Sequence, residues 1–253
     1  ATGIALRLYR SGMEVILCEI PDPTAIRRTV CFSEAVRLGK YTVEGITARR
    51  ATPAEVPGLL AAGAIPVLVD PPGACIPALQ PEGVVDAILA KKNLGTTMDM
   101  APVVVAVGPG FTAGVDCHAV VETMRGHHLG RVIYAGSAQP NTNIPGLIGG
   151  FAGERVLRSP ADGVFQGLRQ IGDQVKAGDA VGVVAGVPMC ATIDGVLRGL
   201  LADGVPVHKG MKSGDVDPRC QSSYCQTASD KALAVGGGVL EALLKLSGIL
   251  NGK

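Results

Sequence analysis

The sequence contains no tryptophan, and aromatic residues make up only 3% of its 253 residues. Aliphatic side chains therefore have to build the core, in a chain long enough for one large domain or two modest ones. Basic and acidic residues nearly balance, which leaves a formal net charge of +1. This balance excludes the dense basic surface that non-specific nucleic-acid binding requires, so we expect no nucleic-acid partner.

Long apolar runs are also missing. No stretch approaches the roughly 20 residues of a membrane helix, and no signal peptide is visible, so we expect no membrane partner and a cytoplasmic location. The seven cysteines are scattered and odd in number, which favours a reducing compartment over a disulfide framework. Cys18 and Cys117 lie in apolar stretches, and we predict that both are small core residues.

Glycine and proline are plentiful, with 35 and 17 residues, and they predict many tight turns between short strands. The fold class predicted is α/β: a Rossmann-like β-α-β part without its first strand, then a β-rich part resembling a barrel-sandwich hybrid, then a C-terminal helix. The predicted segments are a nucleotide-binding part (1–75), a mixed α/β part with a second glycine-rich loop (76–153), a β-rich domain (154–218) and a helix packing back on the α/β part (219–253).

The chain opens on a helix and a strand with no strand before them. A helix over residues 4–11 and a strand over 14–19 match the later parts of a dinucleotide-binding β-α-β unit. In this interpretation Thr2 and Gly3 end a glycine loop that faces a phosphate, and Glu19 accepts a hydrogen bond from a ribose hydroxyl. The alternative is an ordinary surface helix followed by a strand.

A second glycine-rich turn, with Gly108, Gly110 and Gly114, follows an apolar run at 103–107. A strand followed by a glycine loop is the setting in which backbone amides cradle a phosphate, and Lys91 and Asn93 would add to this anion site. The alternative is a simple tight turn, because the Gly-Lys-Ser/Thr ending of a P-loop is missing.

Three other residue types could supply chemistry: arginine, cysteine and histidine. Arg27, in a pair of arginines, offers a bidentate contact to phosphate or carboxylate, unless it is merely solvated. Cys220 and Cys225 are a close cysteine pair, either a thiol that handles sulfur or selenium or loop thiols without a role. The four histidines lack metal-binding spacing, so no metal site is predicted.

The β-rich part carries a specific phrase, "IGDQVKAGDAVGVV", at residues 171–184. It resembles the lipoyl and biotinyl carrier domains, in which a Gly-Asp turn begins each hammerhead strand. The segment at Val187 to Met189 has no lysine, so the architecture is expected here without the swinging-arm chemistry. In the C-terminal helix, three consecutive glycines (236–238) each cost roughly 1 kcal/mol relative to alanine. They are tolerable where another backbone or a ligand comes too close for a Cβ atom.

Several long phrases point to one family, among them "ATGIALRLYRSG", "AKKNLGTT", "APVVVAVGPGFTAGVDCHAVVETMRGHHLGRVI", "GMKSGDVDPR" and "SDKALAVGGGVLEA". They resemble the YqeB-type proteins of the selenium-dependent molybdenum hydroxylase system, and the match spans nearly the whole chain. In that family a strand and Gly-Ala-Gly-Asp-Leu precede Ala-Thr-Gly, which is consistent with a truncated fingerprint. The resemblance implies a maturation factor whose partners are a molybdenum hydroxylase or other maturation factors.

Three functions follow as hypotheses. The first is an accessory factor that binds a phosphate-bearing ligand, a dinucleotide such as NAD or FAD or the cofactor molybdopterin. The second is an NAD(P)-dependent oxidoreductase, with Asp116, His118 or Tyr134 as proton donor. The third is a non-catalytic scaffold that docks a hydroxylase through its β-rich part. Whether the chain catalyses a reaction, and whether it forms a homo-oligomer, are left open by the sequence.

Overall fold

The computed structural model describes residues 1–142 and 144–249, so residues 250–253 of the predicted last segment lie outside it. Within these ranges the fold is mixed α/β and consists mostly of short strands. The five α-helices there are α1 (Thr2–Arg10), α2 (Glu34–Leu38), α3 (Val56–Ala61), α4 (Ile76–Leu79) and α5 (Asp230–Leu246). None of these helices is both long and apolar enough to cross a membrane.

Two four-stranded sheets form the α/β half of the molecule. The first sheet contains β1 (Leu17–Glu19), β2 (Lys40–Val43), β3 (Ile46–Ala51) and β4 (Ile65–Val69), in the order β1-β4-β3-β2. The second contains β5 (Gly83–Asp86), β6 (Val103–Val107), β7 (Ala119–Val121) and β8 (Val132–Ile133), in sequence order. In each sheet three strands are parallel and the last pairing is antiparallel. The buried runs of β4 and β6 are typical of parallel strands covered on both faces.

Helices α1 and α5 pack against each other and share one hydrophobic core with both sheets. Two of the three consecutive glycines in α5 are required by close backbone approach. A Cβ atom on Gly236 would lie 2.8 Å from the carbonyl oxygen of Gly3, and one on Gly238 would lie 2.2 Å from that of Gly130. A Cβ on Gly237 would meet nothing within 4 Å. The expectation of an approaching backbone is therefore confirmed at two positions of three.

Helix α5 begins after a capping serine. The Ser229 side chain accepts a hydrogen bond from the backbone N–H of Ala232, as an N-cap does. This capped helix confirms the C-terminal helix of the predicted fold class. The Rossmann-like detail of the prediction is not established by the observed strand order, in which β1 lies at one edge of its sheet.

The β-rich half is a sandwich of two antiparallel sheets. The third sheet contains β10 (Gly163–Gly167), β12 (Ala180–Val184), β13 (Val187–Cys190) and β15 (Pro206–Val207). The fourth contains β9 (Val156–Arg158), β11 (Gln174–Val175), β14 (Gly195–Leu200) and β16 (Lys212–Asp217). Side chains from both sheets, with Phe165 and Leu197 fully buried, share a second core. No sheet closes into a barrel within residues 1–142 and 144–249.

One local prediction was wrong and another was right. Residues 24–27 form a loop, and this loop and the 3-10 turn Arg28–Val30 after it pack on the sandwich through Ile26 and Arg28. Cys18 is not a core residue but is exposed, since β1 is an edge strand and alternation turns Cys18 outward. Cys117 is buried in the apolar cluster behind the second sheet, as predicted.

Candidate functional site

The residues of the predicted N-terminal phosphate site are engaged in packing. The hydroxyl of Thr2, a buried residue, accepts a hydrogen bond from the backbone N–H of Phe32 at 3.0 Å. A Cβ atom on Gly3 would lie 2.7 Å from the Cβ of Ala232, so this glycine allows α1 and α5 to approach. Glu19 ends β1 and accepts from the N–H of Ile20. In this structure Thr2 and Gly3 therefore have roles in packing.

The second predicted anion site is a set of loops packed on one another. The backbone N–H of Gly108 donates to Val121, and that of Gly114 donates to Cys117. A Cβ atom on Gly110 would lie 2.5 Å from the Cα of Lys92, so the backbone beside Lys91 occupies the space next to this glycine. Two of the amides expected to face a phosphate thus have backbone partners.

Asn93 organises the neighbouring loop. Its side-chain oxygen accepts from the N–H groups of Gly95 and Thr96, while its amide donates to the Thr96 carbonyl and to Asp116. The hydroxyl of Thr96 donates in turn to Asp86 at 2.7 Å. This network satisfies its own donors and acceptors, which is the pattern of a structural turn.

The proton donors considered for an oxidoreductase are dispersed. Asp116 accepts from the backbone N–H of Thr112, and the His118 ring accepts from the N–H of Val104 at 3.0 Å. The Tyr134 hydroxyl contacts Glu241 on α5. Each group has a local partner, and no contact joins two of the three in the described part of the chain.

The two cysteines of the close pair lie in different environments. Cys220 is exposed on its loop, whereas Cys225 is fully buried. Burial raises the pKa of the Cys225 thiol, and nearby Arg27 and Arg198 only partly oppose this effect. Burial and hydrogen bonding to Asp70 likewise raise the pKa of Cys75 to about 12. A reactive thiol needs a lowered pKa, so neither Cys225 nor Cys75 is activated as a nucleophile.

Arg27 lies in a group of charged residues between the two halves of the molecule. We call this group the arginine cluster; it consists of Arg27, Arg155, Arg198, Arg219, Asp215 and Asp217. Arg155 pairs with Asp215 at 3.2 Å, and Arg27 lies 3.9 Å from the same carboxylate. Arg198 and Arg219 both bind Asp217, at 2.9 and 2.6 Å. Asp217 is fully buried.

Strand alternation explains how the sandwich presents this cluster. Val216 and Leu197 point into the sandwich core, so their neighbours point to the outer face of the fourth sheet. Asp215, Asp217 and Arg198 therefore share that outer face. The loop at residues 24–27 covers it, and the segment Ser222–Cys225 covers it from another side. Only long-range packing brings these residues together.

Positive charge exceeds negative charge here. Four arginines and the nearby Lys212 face two aspartates, an excess of three cations. Burial and then repulsion by Arg198 lower the pKa of Arg27 to about 10. Desolvation lowers the pKa of Lys212 as well, and Arg155 and Arg27 add to that effect although Asp215 opposes it. Such mutual repulsion is unfavourable unless an anion offsets it.

Two donors in the cluster lack partners. The Nε atoms of Arg27 and Arg155 are buried and make no hydrogen bond in the described structure. The Arg155 side chain is 7% exposed, whereas that of Arg27 is 28% exposed. Buried arginine donors are almost always satisfied, so these two indicate unused capacity for an acceptor. Sequence reasoning found Arg27 but missed its companions, which lie 128 or more positions further along the chain.

The chain is similar to one curated protein in particular. Over 247 residues it is 54% identical to "Uncharacterized protein YqeB" of Escherichia coli strain K12. The match covers 97% of this chain and 46% of that protein, so the chain spans about half the length of the curated relative. The similarity extends along nearly the whole of this chain. No protein-family model matches the chain.

Two solved structures match small parts of this chain. An aspartoacylase family protein from Mesorhizobium loti is 17% identical over 32% of this chain and 27% of its own, with a TM-score of 0.24. A succinylglutamate desuccinylase/aspartoacylase from Rhodobacter sphaeroides is 19% identical over 25% and 22%, also with a TM-score of 0.24. Likeness at this level indicates nothing about the site.

Proposed function

We propose, from the similarity to the YqeB protein and from the charges of the arginine cluster, that this chain binds a small phosphate-bearing ligand at that cluster. The ligand class is a nucleotide or molybdopterin, and the chain acts as an accessory factor in maturation of selenium-dependent molybdenum hydroxylases. The single observation that supports the binding role is the excess of three cations around Asp215 and Asp217. The link to hydroxylases rests on the sequence motifs.

The chemistry of arginine suits this ligand class. A guanidinium presents its donors in a planar fork that matches two phosphate oxygens, and it stays charged when partly buried. Arg198 and Arg219 are fixed by Asp217 and by the face of Tyr224, whose ring centre lies 4.6 Å from the Arg219 guanidinium. Within the described residues Arg27 makes two long contacts, to the Asp215 carboxylate at 3.9 Å and to the Tyr224 carbonyl at 3.5 Å, and its buried Nε has no partner. It is therefore the arginine freest to turn towards a ligand.

The arginine cluster lies between the two halves of the molecule, so a ligand bound there should affect stability. Arg27 belongs to the α/β half, while Arg155 and Arg198 belong to the sandwich half. An anion bound between them would join the two halves and stabilise their contact by mass action. A phosphate ligand is therefore expected to raise the unfolding temperature as well as to bind.

Calorimetric titration of the chain with pyrophosphate, CTP, NAD, FAD and molybdopterin tests the proposal. We expect Arg27→Gln to weaken binding of the best ligand about ten-fold or more, because a charge-assisted hydrogen bond contributes roughly 1.5–3 kcal/mol. Arg27→Lys keeps the charge but loses the fork, so it should recover only part of the affinity. Thermal unfolding of each variant without ligand reports whether the fold is intact.

The matched control is Arg131→Gln, which removes the same charge from an exposed position directly before β8. It should leave the affinity unchanged. If no ligand binds, or if Arg131→Gln weakens binding as much as Arg27→Gln, the cluster is only a structural ion-pair network. Binding with an unaltered fold and equal affinity in Arg27→Gln would likewise reject the proposed site.

A further inference from the structure

A second group of functional side chains lies on the first sheet, apart from the arginine cluster. The Sγ atoms of Cys18 and Cys75 are 3.5 Å apart, and a carboxylate oxygen of Asp70 lies with them. The three potential ligand atoms all fall within 4.8 Å of one another. Cys18 and Cys75 are 57 residues apart in sequence, so this arrangement is produced by the fold.

Parallel pairing brings these residues to one edge. Strand β1 pairs with β4 so that Cys18 lies opposite Leu68 and Glu19 opposite Val69. Asp70 follows directly after β4, and the turn after it brings Cys75 back to the same place. Both carboxylate oxygens of Asp70 are oriented by backbone N–H groups, those of Ala74 at 3.0 Å and Cys75 at 2.8 Å.

The spacing of the two sulfur atoms suits a shared ion. Two thiolates on a tetrahedral zinc ion, each at about 2.3 Å, lie roughly 3.8 Å apart. The observed 3.5 Å differs from this value by a few tenths of an ångström, which side-chain rotation accommodates. Two sulfur ligands select soft or borderline cations over magnesium or calcium, which prefer oxygen ligands.

A cavity lies beside the group. Its volume is about 700 Å³, and Asp70, Ala74 and Cys75 form part of its wall together with Arg50 and Leu68. It opens at the carboxyl ends of the parallel strands β3 and β4, where open α/β sheets bind their ligands. With three protein ligands, the fourth position on a tetrahedral ion would face water or a ligand in this cavity, as in catalytic metal sites.

We propose that Cys18, Asp70 and Cys75 form a binding site for a soft divalent cation of the Zn²⁺ or Cd²⁺ type, with one coordination position open towards the cavity. On binding, the two thiols release their protons to solvent and the sulfur atoms bind the ion as thiolates. No oxidant or reductant takes part. Because no short spacing motif joins the three residues, the site could not be predicted from the sequence.

The test uses the whole chain under reducing conditions. Titration with Cd²⁺, followed by calorimetry and by the ultraviolet absorption of cadmium–thiolate bonds, should show one ion bound at this site. Cys18→Ser should weaken binding by more than the roughly 10- to 100-fold that loss of an outer-shell partner costs. Because Cys18 is exposed at a sheet edge, this variant leaves the core undisturbed. Cys75→Ser should have a similar effect, and Zn²⁺ should raise the unfolding temperature.

Cys190→Ser is the matched control, since Cys190 is an exposed cysteine on β13 in the other half of the molecule. It should bind cadmium with the affinity of the unaltered chain. Equal affinity in Cys18→Ser, or equal loss in Cys190→Ser, would overturn the proposal. So would a reduced chain that binds no ion but forms a Cys18–Cys75 disulfide in air, detected by mass spectrometry, because the pair would then be a redox pair.

Discussion

Four buried carboxylates, two in each half of the molecule, differ in their partners: Asp86 and Glu122 in the α/β half, and Asp215 and Asp217 on the sandwich. In the α/β half, Asp86 accepts from the Thr96 hydroxyl and from a backbone N–H, and Glu122 accepts from two backbone N–H groups. On the outer face of the sandwich, Asp215 and Asp217 face arginines instead. The neutral donors around Asp86 and Glu122 are used up in holding their loops, and they leave no unpaired cation. Arginines in excess leave cationic capacity, and this difference separates a structural network from a candidate binding site.

The largest expected effect comes from removing Asp217. Asp217→Ala leaves Arg198 buried without its partner carboxylate and Arg219 without its bidentate contact. Breaking a buried ion pair in this way costs about 3–5 kcal/mol. Urea denaturation should therefore show a large loss in the free energy of unfolding.

The comparison with Asp86→Ala sharpens this expectation. That change also removes a buried carboxylate, but it leaves only a hydroxyl and a backbone N–H without an acceptor, at a cost of about 1–3 kcal/mol. Equal losses for the two variants would mean that the excess of charge around Asp217 has no energetic consequence, and the contrast between Asp217 and Asp86 would disappear.

A smaller effect is expected where α5 crosses the loop at Gly130. Gly238→Ala places a Cβ atom 2.2 Å from a backbone carbonyl oxygen, and overpacking of this kind costs about 1–3 kcal/mol. Gly237→Ala, one position away with nothing within 4 Å, should instead stabilise the helix by about 0.5–1 kcal/mol. Opposite signs in chemical denaturation would confirm the packing; destabilisation by both changes would contradict it.

Local patterns predicted much of the α/β half. The apolar run at 103–107 is a fully buried strand, and two of the three consecutive glycines mark a close helix contact. These features depend on neighbours in sequence, where periodicity and backbone sterics act. The predicted turns also exist, but whether their amides are free depends on what packs against them. The amides of Gly108 and Gly114 donate to backbone carbonyls and are not free.

The sites themselves depend on long-range pairing. Arg27 and Arg198 are brought together by docking of the α/β loop on the fourth sheet, and Cys18 and Cys75 by the register of β1 against β4. Composition and spacing carry no information on either contact, because a strand's partner is not encoded within the strand. Cys18 shows this most directly. Its apolar surroundings predicted a core position, and its place on an edge strand exposed it.

The smallest effect is expected at an exposed ion pair, and it shows how far burial matters. Arg125 forms two hydrogen bonds to Asp230, at 2.9 and 3.3 Å, and these lower the pKa of Asp230 to about 2. A carboxyl whose pKa is lower in the folded chain than the unfolded value of about 3.9 stabilises the fold above that value, and the contribution is lost as the pH falls towards 2. The Asp230 side chain is 73% exposed, so solvent screening limits the contribution to less than about 1 kcal/mol.

Asp230→Asn should therefore lower the unfolding temperature slightly at pH 7 and low salt, and not at pH 2 or in 1 M salt. If Asp230→Asn still lowered the unfolding temperature under those conditions, hydrogen bonding at the start of α5 would matter more than charge. The stabilisation expected from Asp217 would then also have to be attributed to hydrogen bonding and not to charge.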